Sequence, residues 1–181
     1  VYLYNPNHRD AASLAPIVKD VDVLAKGCYV NSAGYKDERG WIRYSIEQML
    51  AADKTMRKPR FVVVMPELCK DPEPGERDMI DAWARHDTYL GLMSGAKGVL
   101  IWSLFPRKEV KATWQNWYDA YAQVGRELNG ENGLAPVFLF GERRSDITVS
   151  PVEKRPSRPA VRAENGLEKN TTTSAEGAGA L

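Results

Sequence analysis

The sequence predicts an α/β fold built on a parallel sheet, and three observations carry that expectation. Two apolar runs, RFVVVMPEL at residues 60–68 and SGAKGVLIWSLFPR at 94–107, do not alternate with polar residues, the pattern of strands buried on both faces. Each run follows a stretch of helical periodicity, so strand and helix signals alternate along the chain. Each also holds a chemically useful residue: Glu67 after the first, Trp102 within the second. Side chains that perform function in such sheets gather at the C-terminal ends of the strands.

The elements follow in order. Residues 1–4 form a short apolar strand ended by the turn-forming Asn5-Pro6-Asn7. Residues 11–19 are a short helix behind Asp10, an N-cap residue type. Residues 21–24 make the second strand by β-branching, with Gly27 as a bend and residues 28–30 leading into a polar loop at 31–40. The next helix is 41–52, where Ile42, Ile46, Met49 and Leu50 share a face. Residues 60–65 are the third strand, stopped by Pro66, and 71–75 are a Pro-rich acidic loop. A long helix at 76–93 carries Ile80, Trp83, Asp87, Leu90 and Met93 along one stripe. Glu76 suits its positive N-terminus and Gly95 its C-cap. The fourth strand is 98–104. A helix at 113–130 then places Trp114, Trp117, Tyr121, Val124 and Leu128 at three- and four-residue steps. Residues 136–140 and 146–149 read as a short β segment spanning 136–150. From 151 to 181 large apolar residues all but vanish, the composition of a disordered tail.

Composition narrows the classes. One domain, a partial barrel at 1–135, with a β segment and a tail suits 181 residues. A net charge of +1 gives no basic stripe for nucleic acid, so no nucleic-acid partner is expected. No apolar run approaches the roughly 20 residues of a membrane helix, so no membrane partner is expected either. No signal peptide is visible at the start. The chain opens on Val1 in a strand pattern, which fits a piece of something longer. The compartment stays open, and secretion or a periplasmic location of the parent is compatible with it. Cys28 and Cys69 form no CxxC or Cys/His cluster, so free thiols, no metal and no cofactor are expected.

Two architectures compete: an open doubly wound sheet and a segment of an eight-fold (β/α) barrel. The dinucleotide-binding version of the first wants a glycine-rich turn after the first strand, where this chain has Asn5-Pro6-Asn7-His8. The second fits four strand–helix units, half of a fold that usually takes about 250 residues.

VDVLAKGCYV, then KPRFVVVMPEL, then PEPGERDMIDAWARHDTYLGLMSGAKGVLIWSLFPR, then a Trp-rich helix and LNGENGLAPVFLFGE, resemble the C-terminal half of clan A glycoside hydrolase barrels. The likeness is greatest to β-galactosidase-like and agarase-like bacterial proteins. It covers residues 1–149 and is most specific in SGAKGVLIWS. The resemblance implies a (β/α)8 TIM-barrel type fold, of which the strands here are the fifth to eighth. It also implies a retaining mechanism on an oligo- or polysaccharide, with the nucleophile glutamate ending the seventh strand, where Glu67 stands. The acid/base glutamate of that group ends the fourth strand, usually as Asn-Glu, and no such dipeptide precedes residue 21.

The residues themselves leave alternatives at each position. Glu67 is a nucleophile or a solvated loop glutamate among Asp71, Glu73 and Glu76. Trp102 is core, or a flat platform for sugar CH groups with an N–H to orient them. Tyr29 bonds a carboxylate or sugar hydroxyl, or packs at the rim, and His8 lines the same rim or lies on the surface. The rival to an enzyme is a non-catalytic carbohydrate-binding or structural barrel remnant. Half a barrel also leaves unpaired sheet edges, which favours self-association.

Overall fold

Four strands, β1 (Tyr2–Asn5), β2 (Val23–Cys28), β3 (Phe61–Pro66) and β4 (Gly98–Val99), form one parallel sheet in the spatial order β1-β2-β3-β4. The computed structural model describes residues 2–5, 9–29, 39–54, 61–131, 133–144 and 146. All but the last lie in the first of two units, 1–144, and the second spans 145–181. The register runs unbroken between β2 and β3 from Val23–Phe61 to Cys28–Pro66. Strand order follows chain order without reversal, the arrangement of successive βαβ units.

The helices are α1 (Ala11–Val18), α2 (Gly40–Asp53), α3 (Ile80–Met93), α4 (Trp114–Asn129) and α5 (Ala135–Phe140). Asp10 caps α1 as its residue type promises, accepting from Ser13 N–H at 2.7 Å. Leu24 and Cys28 of β2 and Val62 and Val64 of β3 pack in one buried cluster with Leu14, Val18, Ile42, Ile46 and Met49, joined by Leu90 of α3. Helices α1, α2 and α3 therefore cover the same face of the sheet. Alternation along the strands directs Ala25, Val63 and Met65 to the other face. A second cluster joins Leu68, Ile80, Trp83, Trp117 and Tyr121, with Trp83 stacked on Trp117 and Trp117 on Tyr121. α3 closes on Gly95 at φ 111°, where Gly95 N–H donates to Leu92 O and Ala96 N–H to Gly91 O. That paired closure needs the left-handed conformation glycine supplies.

The α/β class and the parallel order agree with the expectation; an open four-stranded sheet is not by itself a closed eight-stranded barrel. Several elements differ from their expected form. β2 does not end at Leu24 or bend at Gly27 but continues to Cys28. Lys26, inside the strand, is buried, and its ammonium donates to Gly27 O at 2.7 Å. β4 is regular over two residues, not seven. Leu100 N–H still donates to Val64 O, but Pro66 has no N–H with which to continue the ladder. The helix expected from residue 76 begins as a 3-10 segment, Pro74–Met79, and becomes α-helical at Ile80. The β segment expected at 136–150 is replaced over its first residues by α5. Pro136 sits in its first turn, where a missing N–H costs nothing. Phe138 packs toward Tyr89 and Leu92 while Val137 and Phe140 are exposed, a helical spacing rather than an alternating one. Residues 147–149, the tail at 151–181 and His8 lie outside the described residues.

Candidate functional site

Beyond Pro66 the backbone of β3 resumes pairing for one bridge, Glu67 with Trp102. Trp102 N–H donates to Pro66 O at 3.1 Å, Leu68 N–H to Trp102 O at 2.6 Å, and Ser103 N–H to Leu68 O at 3.1 Å. The Trp102–Ser103 peptide bond is cis. The sequence therefore sets a carboxylate and an indole side by side at the C-terminal ends of neighbouring parallel strands. They came from separate apolar runs, and the sheet register unites them.

Their exposures differ. Glu67 is 2% exposed, while Trp102 keeps 40% of its surface accessible, so Trp102 is not core. The Cys69 thiol donates to Glu67 Oε2 at 3.8 Å, and Tyr121 of α4 donates its phenol to Glu67 O at 2.8 Å. Burial first, then the charges of Asp87 and Glu67, raises the Tyr121 phenol well above its ordinary range, so it remains a donor. Glu67 is thus held from its backbone by a helix and at its carboxylate by a thiol.

The following loop is fixed as well. Asp71 accepts from Ala112 N–H, Thr113 N–H and Thr113 Oγ1–H at 3.2, 2.9 and 2.6 Å. Its carboxylate is committed to the start of α4. Arg107, on the loop after Trp102, places its guanidinium 5.4 Å from the Trp102 ring centroid and 4.9 Å from that of Phe105.

Tyr29, one residue past β2, donates its hydroxyl to Met65 Sδ at 3.3 Å on the face opposite α1–α3. On the helix-covered face, burial lowers Lys26 to about 8, with Cys28 acting in the opposite sense. Burial likewise pushes the Cys28 thiol up to about 12, with Lys26 opposing it. Asp87, buried in α3, is ion-paired with Arg39 and lies 2.9 Å from His86 Nδ1; Arg39 also lies over Trp83. Both cysteines are free. Among the described residues no group of three or more His, Cys, Asp or Glu converges to hold a metal. Nor is any helix there long and apolar enough to cross a membrane.

Glu67 and Trp102 are brought together, and Tyr29 stands at the end of the strand next to Glu67's. Reading by residue type missed Arg107, Lys26 and the Cys69–Glu67 contact. Lys26 had a signal, a lone charge inside VLAKGC; Cys69 had one in its two-residue spacing from Glu67. Comparison with known proteins finds no matching family model, curated protein or solved structure.

Proposed function

We propose that this chain is the second half of a (β/α)8-type barrel of a retaining glycoside hydrolase acting on an oligo- or polysaccharide, with Glu67 as nucleophile and Trp102 as sugar platform. The observation that supports this reading is the Glu67–Trp102 bridge at adjacent strand ends. In the reaction the Glu67 carboxylate attacks the anomeric carbon and a glycosyl ester forms as the bond to the leaving oxygen breaks. A second carboxylic acid about 5–5.5 Å away protonates that oxygen and later activates the water that releases the sugar. Trp102, 40% exposed, would stack its ring on the sugar's CH groups. The Cys69 thiol, donating to Oε2, keeps the carboxylate oriented.

Asp71 and Asp87 are both engaged in other contacts, and the resemblance puts the acid/base glutamate at the end of the fourth strand of the barrel, not on the strands here. That same observation favours a second reading, a carbohydrate-binding barrel remnant without catalysis. The sheet's outer strands, β1 and β4, would then serve as edges for pairing with the missing half or with a second copy.

Mechanism-based labelling separates the readings. A 2-deoxy-2-fluoroglycosyl fluoride incubated with the full-length parent should leave one sugar on the peptide containing Glu67, and Glu67→Gln should abolish it. Saccharide binding with no label supports the remnant. A label on another carboxylate removes Glu67 from the mechanism.

A further inference from the structure

Arg107 follows the platform tryptophan by five residues. Among the described residues it forms no ion pair and no side-chain hydrogen bond; its contacts are the rings of Trp102 and Phe105. Its Nε is buried without an acceptor. Glu109, two residues on, makes no ion pair with it and instead uses its backbone carbonyl to accept from Asp71 N–H. The neighbouring cations Lys108 and Lys111 are exposed.

A guanidinium carries five N–H donors in a planar fork that matches carboxylate or sulfate oxygens, and stacking on an aromatic ring orients the fork. The buried Nε is closed to a ligand, but the Nη donors are not among the buried atoms and can meet an oxyanion. Trp102 is 40% exposed and Arg107 lies over its ring, so a sugar held against the exposed part of the indole would lie beside the fork.

We propose that Arg107 is an anion-recognising subsite beside the Trp102 platform, so that the saccharide class bound here bears an oxyanion, a uronate carboxylate or a sulfate ester. The inference rests on the reading of Trp102 as a sugar platform and narrows its substrate. Aromatic stacking supplies affinity for the ring, and Arg107 selects the charged member of the class. A lysine at this position would keep the charge but lose the planar fork.

The test titrates the full chain with three probes, following the Trp102 indole N–H resonance: a neutral galacto-oligosaccharide, an oligogalacturonate and a sulfated galactan oligosaccharide. Trp102→Phe assigns the signal. At least one charged probe should bind about tenfold more tightly than the neutral one at low salt, and the advantage should shrink as salt rises. Whichever charged probe wins identifies carboxylate or sulfate as the partner. Arg107→Gln should abolish the preference while leaving neutral binding within about twofold, and Arg107→Lys should keep part of it, still salt-sensitive. Equal affinity for all three, or an unchanged preference in Arg107→Gln with a native-like amide spectrum, overturns the subsite and leaves the platform standing. Failure of every probe to perturb Trp102 overturns both.

Discussion

Asp71 and Thr113 are 42 residues apart in sequence and joined by two hydrogen bonds, from Thr113 N–H and Oγ1–H to the same carboxylate oxygen. Asp71 N–H returns a bond to Glu109 O at 2.7 Å, so the loops after β3 and β4 are tied in both directions. The carboxylate also faces the N-terminal end of α4, where a negative charge is stabilised by the helix dipole. Asp71→Ala removes three accepted bonds, two of them on Thr113, which is 1% exposed. We expect a loss of about 2–3 kcal/mol in urea unfolding, with Asp71→Asn losing less because one amide oxygen remains. A loss under 0.5 kcal/mol would show that the loops are held elsewhere.

That clasp also illustrates what was legible in the sequence. The strands that carry the core were readable because Val62 and Val64 sit in an uninterrupted β-branched run, and Asp10 announced α1 by residue type. Glu67 was placed by the rule that parallel sheets work at their strand ends. What escaped depended on partners distant in sequence. Nothing local says that Asp71 reaches Thr113, or that Arg107 turns back onto Trp102. β-branching marks β2 only over 21–24, whereas the strand runs to Cys28 with Lys26 buried inside it, its ammonium donating to Gly27 O. The segment APVFLF was ambiguous because a short apolar run fits strand and helix alike, and Pro136 in the first turn settles it as α5.

The two thiols should behave differently toward a disulfide reagent. Cys28 is 1% exposed and its thiol is pushed up to about 12 by burial, so thiolate is scarce at pH 8. Cys69 is partly exposed beside Glu67. Reaction with an aromatic disulfide at pH 8 should release one equivalent of chromophore promptly and the second only on unfolding. Cys69→Ser should remove the prompt phase. Two prompt equivalents in the native protein would contradict the burial of Cys28.

Gly91 is where α3 meets the sheet. A methyl group there would lie 2.5–2.8 Å from Cβ and both Cγ atoms of Val64, a stiff side chain that cannot swing away. Alanine normally helps a helix by roughly 0.5–1 kcal/mol over glycine. Here overpacking should dominate, and Gly91→Ala should destabilise by about 2 kcal/mol. Adding Val64→Ala makes room for the methyl, so the double variant should be less destabilised than the two single losses added together. Additive losses would mean that α3 shifts freely away from β3.

Lys26 offers the pH test. Its ordinary value of 10.5 falls to about 8 in the folded chain, because burial disfavours the ammonium. Between about pH 8 and 10.5 the unfolded chain therefore binds more protons than the folded one, and this group's contribution to stability rises with pH. Below pH 8 both states carry the charge and the whole burial cost is present, about 3 kcal/mol for a shift of that size. Cys28 and Tyr121 act in the opposite sense. Their folded values are raised, so above about pH 9 and 10, where the unfolded groups ionise, the folded state holds the extra protons and loses stability. Lys26→Met and the parent sequence both carry Cys28 and Tyr121, so the difference between them reports Lys26. Lys26→Met, close in volume and uncharged, should be more stable than the parent sequence by about 2–3 kcal/mol at pH 7, and the gap should narrow through pH 8 and 9. Urea melts of both proteins at the three pH values read it directly. A methionine variant that is less stable at pH 7, or a gap that does not move with pH, would mean that the buried ammonium is held by compensating partners strong enough to offset its desolvation.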